Sequence, residues 1–230
     1  MPLVTNTLID TLPRTARNRL LSICQSVELV SGFLLSGSDT PARHVYFPTG
    51  SILSLLTSSK DSPVLEVGMV GSEGMLGLQV VLAVATVPLQ ASVRGSGTAW
   101  RVAAEPFNRE LADSRALQRN LNCYLQVTLL QLSSEARCVR FHQISQRLAR
   151  WLLMTHDRTH ADSFNVTQAI IAHLLGVRRV GIAMAAGALQ RRGIIKYARG
   201  VLTIVDRKAL ELQSCRCYET GRKTYARLMS

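Results

Sequence analysis

The sequence predicts an α+β chain: a front of short antiparallel strands, a long helix, and a helical back end closed by a hairpin. Three observations predict it. Short apolar runs broken by Gly, Ser, Pro and Asp fill the stretch from Ser31 to Val102. From Ala103 to Arg158 the one helix-breaking residue is Pro106. From Phe164 to Val205 a short helical segment, a glycine, a basic helical segment and two strand-like runs follow one another.

The elements follow in order. The first residues, to about 30, read as helical, with Leu20, Leu21 and Ile23 in the segment Thr15 to Cys24. The runs Val45-Tyr46-Phe47, Ile52 to Leu56, Val64 to Val70, Ala91-Ser92-Val93 and Ala99 to Val102 are then too short for helices. Their close spacing implies an antiparallel sandwich or barrel. Pro106 suits the start of a helix. Leu117, Leu121, Tyr124, Thr128, Leu132 and Val139 recur at steps of three, four or seven, which lays one stripe along a helix. Such a stripe packs against a symmetry mate or against the chain's own front. Both packings are expected, because Leu125, Leu129 and Leu130 broaden the apolar face. A second stripe, Ile144, Leu148, Trp151 and Leu152, with Arg147 and Arg150 beside it, opens the back domain. Trp151 is expected in its core. The boundaries fall at residues 1–113, 114–140 and 141–230.

The back domain reads as a winged helix-turn-helix. Thr167 caps a helix built from Ala169, Ile170, Ala172, Leu174 and Leu175. Gly176-Val177 makes the turn. Arg178 and Arg179 begin a second helix to about Arg192, and Gly193 stops it. Ile194 to Tyr197 and Val201 to Val205 form a hairpin joined at Ala198-Arg199-Gly200. Ala209 to Leu212 suggests one more helical turn.

Charge points the same way. The chain carries a formal +12. Up to Asp113 there are 8 Lys/Arg against 9 Asp/Glu; from Ser114 onward there are 19 against 6. A basic back half carrying a helix-turn-helix implies double-stranded DNA as partner. No apolar run of about 18 residues predicts a membrane span, and the N-terminus lacks the pattern of a signal peptide. The five scattered cysteines fit a reduced cytoplasm better than a disulfide framework. His44, His142, His156, His160 and His173 are dispersed, with no His-Glu-x-x-His, nucleophile elbow, phosphate loop or zinc spacing, so no enzyme is predicted. Cys215-x-Cys217 is the one close cysteine pair, and no metal site is predicted.

Two front segments carry a resemblance. Tyr46-Phe47-Pro48-Thr49-Gly50-Ser51-Ile52 and Val70-Gly71-Ser72-Glu73-Gly74-Met75-Leu76-Gly77 are similar to the β-roll of the cyclic-AMP receptor / fumarate-nitrate regulator (Crp/Fnr) superfamily. Leu174-Leu175-Gly176-Val177-Arg178-Arg179 resembles its DNA-binding domain. The resemblance implies an N-terminal β-roll sensor like a cyclic-nucleotide-binding domain, a long dimerisation helix and a C-terminal winged helix-turn-helix. It implies a homodimeric transcription regulator on a palindromic operator, with RNA polymerase as a candidate further partner.

In nucleotide-binding members a Gly-Glu pair and a downstream Arg-Ser pair hold the cyclic nucleotide. Here Gly74-Met75 and Leu89-Gln90 fall on those positions, which predicts against cyclic AMP and predicts no cofactor. A shifted alignment offers Glu73 and Arg94 instead. Gly71, Gly74 and Gly77 otherwise serve tight turns, with Val80, Val81, Leu82 and Val84 filling the roll or lining a less polar pocket. A cyclic-nucleotide-responsive regulator and a metal, redox or gas sensor remain the alternatives. The resemblance also puts Arg179 on guanine. Arg178 is assigned to a base or a phosphate, and Val180 to a thymine methyl. Thr167, Gln168, Lys196 and Arg199 are assigned to phosphates. Gly181 and Ala183 are small enough to let the DNA backbone approach.

Overall fold

A computed structural model describes residues 5–59 and 62–229. Two short helices, α1 (Thr7–Asp10) and α2 (Arg14–Ser22), open the chain. α2 ends sooner than expected because the next stretch extends into β1 (Gln25–Leu29). The roll continues with β2 (Leu34–Ser36), β3 (His44–Pro48), β4 (Ile52–Ser59), β5 (Ser62–Val70), α3 (Leu78–Val81), β6 (Gln90–Gly95) and β7 (Gly97–Ala103). Two antiparallel sheets result, in the orders β1-β7-β3 and β2-β6-β4-β5. Side chains alternate between the two faces along the strands, so Val45, Phe47 and Val102 are buried on one side of the roll and Leu53, Val93 and Ala99 in a second cluster. In the β4–β5 hairpin the register slips after Leu55, and Leu56 faces Glu66. Residues directly opposite share a face, and this face meets the back domain.

Helices α4 (Ala104–Asp113), α5 (Arg115–Phe141) and α6 (Ile144–Thr159) follow. The stretch without a helix breaker thus holds three helices, α5 covering the residues expected of the long helix and α6 those of the second stripe. Ser114 breaks the first junction and caps α5, its side chain accepting from the Leu117 N–H. The predicted stripe on α5 divides. Leu117, Leu121 and Tyr124 turn inward and join the roll's core with Phe47, Met75 and Phe107. Leu129 is 60% exposed, and Leu132 and Val139 are exposed as well. With Leu125 and Ala136 these three repeat at steps of four and three, the spacing of a two-chain seam.

The back domain adds β8 (Ser163–Asn165), α7 (Gln168–Leu174), α8 (Arg179–Arg191), β9 (Ile195–Ala198), β10 (Val201–Ile204), α9 (Arg207–Gln213) and α10 (Cys217–Met229). The wing has three strands rather than two, in the order β8-β10-β9. Its core joins Leu148, Trp151 and Leu152 of α6 to Ile171, Ile182, Leu189, Leu202 and Leu210, and takes in Met69 of the roll. α9 contains the expected turn, and Leu210 anchors it. α10 packs along α5 and returns to the roll: the Tyr225 hydroxyl donates to the Glu73 carbonyl at 2.7 Å, and Met229 is buried in the roll's core. No single helix among the described residues is long and apolar enough to cross a membrane.

Candidate nucleic-acid interface

The helix-turn-helix is set locally. The Thr167 side chain accepts from the Ile170 N–H at 3.2 Å and so starts α7, a cap that contributes about 1 kcal/mol. Gly176 has φ +62°, the left-handed region that favours glycine. The Val177 N–H closes back on the Ala172 carbonyl at 2.9 Å. α7 and α8 then meet at 116°, within the range of a DNA-binding helix pair. Arg178 is the N-cap of α8, and Arg179 its first residue. Ile182, Ala185, Ala186 and Leu189 face inward, while Val180 and Met184 are 62% and 71% exposed. The helix thus presents two arginines at its leading end and an apolar strip behind them.

The remaining predicted contact residues lie around that end. Tyr197 of β9 links them. Its hydroxyl donates to the Val166 carbonyl at 2.7 Å. Burial raises its pKa, and the Gln168 main chain and Arg179 act in the opposite direction. α7, α8 and the wing are therefore adjacent at this point. Thr167, Arg178, Arg179 and Lys196 are exposed, and Gln168 is half-buried. The hairpin tip is Arg199-Gly200, with φ of +51° and +81°, as a two-residue turn requires. Arg199 projects there into solvent. Gly181 does not face outward: a Cβ there would lie 2.9 Å from Ile144 Cδ1, so its smallness serves the packing of α8 on α6.

Not all the basic residues of the back half point outward. Arg147, Arg150 and Arg158 are buried. Arg147 donates to the Leu175 carbonyl at 2.6 Å, Arg150 pairs with Glu135, and Arg158 pairs with Glu73 at 2.8 Å. Net charge alone thus overstates the charge facing a partner.

A cavity of about 240 Å³ lies between the roll and α5–α6. Of the predicted effector residues, Met75, Leu89 and Gln90 line it, together with Leu125, Leu132 and Trp151. Gly74 is not part of its lining; a Cβ there would fall 2.1 Å from the Tyr124 hydroxyl. Gly71 is likewise dictated by close approach, to Arg158. Of the three glycines, only Gly77 has positive φ, at +108°. Val80 is buried and Val81 half-buried, but Leu82 and Val84 are exposed at the cavity's edge.

The shifted alignment fares worse. Glu73 is held by Arg158 and by the Gly71 N–H at 3.1 Å. Arg94 lies against the Trp151 ring at 4.6 Å and donates to Thr155 at 3.1 Å. Burial lowers the Arg94 pKa, and the nearby Glu66 carboxylate counters it. Glu66 also accepts from Trp151 Nε1 at 2.9 Å and from Ser54. These side chains tie the roll to α6.

Sequence reasoning missed one constellation. Cys138, Cys215 and Cys217, scattered along the chain, come together with His142 at the base of the back domain. The Cys138–Cys215 hydrogen bond is the main cause of a split: Cys215 is pushed down to about 5, and Cys138 is pushed up. Cys138-x3-His142, one helical turn apart, was the available signal.

Comparison with known proteins supplies the deciding observation: residues 146–212 match the family model of the Crp-like helix-turn-helix domain. The chain carries a Crp-like helix-turn-helix domain on a Crp/Fnr fold. The whole structure is similar to FixK2 from Bradyrhizobium japonicum, with a TM-score of 0.71 at 15% identity over 84% of this chain and 98% of that one. It is similar to the c-di-GMP-responsive global regulator CLP from Xanthomonas campestris (0.68, 16%, 84% and 99%). It is also similar to TTHA1359, a Crp/Fnr-family transcriptional regulator from Thermus thermophilus (0.67, 16%, 85% and 98%). At such identities the likeness is one of fold. No curated protein matches the sequence. The Crp-like domain begins within α6 and ends within α9, so α10 and the cysteines before it lie outside the matched region.

Proposed function

We propose that the protein is a sequence-specific transcription regulator that binds a palindromic DNA operator as a homodimer in the cytoplasm, and is not an enzyme. The observation that carries this is the leading end of α8, where Arg178 and Arg179 stand exposed on a Crp-like helix-turn-helix. Inserted into the major groove, Arg179 donates two hydrogen bonds to guanine, a contact that contributes about 1–3 kcal/mol of discrimination. Val180 and Met184 meet thymine methyls. Thr167, Gln168, Lys196 and Arg199 meet phosphates on either side. The exposed seam Leu129, Leu132, Ala136 and Val139, continued by half-buried Leu125, supports pairing of two copies through α5. Twofold pairing sets half-sites about 34 Å apart. RNA polymerase is a further partner of such a regulator.

The cavity supports a second element of the reading: a small, mainly apolar effector rather than cyclic AMP. Its wall at Met75 and Leu89 offers no charge to a phosphate, the two arginines of its lining, Arg147 and Arg150, are held by the Leu175 carbonyl and Glu135, and Glu73 and Arg94 are engaged elsewhere. Selection of bound sequences from a random duplex pool tests the first reading. An inverted repeat with a guanine in each half-site is expected; no enrichment at low salt sinks it. Adding cyclic AMP to the same binding reaction tests the second, with no change in affinity expected.

A further inference from the structure

We propose that Cys138, His142, Cys215 and Cys217 form a four-ligand zinc site that fastens the end of α5 to the start of α10. Their donor atoms all lie within 4.8 Å of one another. Cys138 Sγ stands 3.6 Å from Cys215 Sγ, and Cys217 Sγ stands 3.7 Å from His142 Nδ1. A tetrahedron with Zn–S bonds of ~2.3 Å has edges of about 3.8 Å, and imidazole nitrogen shortens them slightly. Two of the six edges already have that length, and none exceeds 4.8 Å.

The chemistry of the set selects the metal. Three sulfurs and one imidazole suit a borderline-soft divalent ion and not magnesium or calcium, which take oxygen. Four protein donors leave no open position, as in structural rather than catalytic zinc sites. The three cysteines are buried and form a packing cluster of their own. Three thiolates around one divalent ion leave a net negative charge. Arg137 reaches Cys217 Sγ at 3.6 Å, and Arg150 lies close enough to act on Cys138 and Cys215. Such outer partners hold ligands in place and offset their charge.

Position gives the site its role. Cys138 and His142 precede residues 146–212, and Cys215 and Cys217 follow them. The ion closes the DNA-binding domain at its base, joining its entry to its exit at the point where it leaves α5. It thereby fixes how α8 is carried by the dimerisation helix.

The test uses the full chain, purified under reducing conditions, with metal measured by mass spectrometry. One zinc per chain is expected, with a fall in thermal midpoint on chelation. The apoprotein titrated with Co(II) should show an intense tetrahedral thiolate spectrum at one equivalent. Cys138→Ser with Cys215→Ser should abolish it, Cys24→Ser with Cys123→Ser should not, and His142→Cys should keep the ion while shifting the spectrum toward four sulfurs. The Co(II) titration of the unmutated chain decides the matter even if a variant misfolds. Absence of a tetrahedral spectrum in that titration overturns the proposal. So does a Cys138–Cys215 disulfide that survives the reductant, which would make the pair a stable cross-link instead of metal ligands.

Discussion

Arginine has opposite fates in two regions of this molecule. At the leading end of α8, Arg178 and Arg179 are exposed on a surface with few carboxylates. Where the roll and α5 meet α6, Arg150 and Arg158 are buried against Glu135 and Glu73, and Arg94 is half-buried beside Glu66. The sequence treats both groups as basic residues of a basic chain. The fold sorts them by partner: a guanidinium whose carboxylate is supplied from within the chain becomes mortar between domains, and one without waits for a partner outside. The buried pairs need one another because each charge is costly alone. The exposed ones gain little until a polyanion arrives.

Four substitutions break or sharpen this contrast. The largest effect on stability belongs to Glu73→Ala, which leaves Arg158 buried without its carboxylate. It should cost about 3 kcal/mol in urea unfolding and leave the salt dependence of DNA binding unchanged. Arg179→Ala should leave unfolding within about 0.5 kcal/mol. It should weaken operator binding by about 1–3 kcal/mol and make the mutant indifferent to the guanine it no longer reads. A quantitative gel shift on matched and guanine-substituted duplexes measures this. Lys196→Ala should weaken all duplexes alike and reduce the slope of log affinity against log salt by about one. A sequence-dependent loss would move Lys196 to base reading. Arg199→Asn has the smallest expected effect, with two parts of opposite sign. Asparagine suits the left-handed tip better and should stabilise the fold by about 0.5 kcal/mol, while the lost guanidinium flattens the salt slope.

The helix-turn-helix was legible because its signals are local. A capping threonine, a glycine at a left-handed turn and a second glycine after α8 each act within a few residues, and Gly176 and Gly193 both have positive φ. β1 was hidden because Gln25 to Leu29 is mostly exposed and shows no apolar alternation. The stripe on α5 was visible, but periodicity gives a face and not the surface it meets. Leu121 found the roll; Leu129 stays 60% exposed among the described residues. The cavity was half legible: Met75, Leu89 and Gln90 line it, while Gly74 owes its small size to Tyr124. The cysteine cluster was the least legible. Cys138 and Cys215 lie 77 residues apart, and only the path of α10 back along α5 brings them together.

That returning helix has a mechanical consequence. The roll is held to the back domain along α5, again through Glu66, Glu73 and Arg94 on α6, and a third time where Tyr225 and Met229 of α10 reach it. A body hung from one joint can swivel in any direction, whereas a body pinned at three places that do not share a line has no free hinge. The cavity beside Met75 and Trp151 lies between bodies braced in this way, so a change in its volume would load several contacts at once instead of turning one pivot.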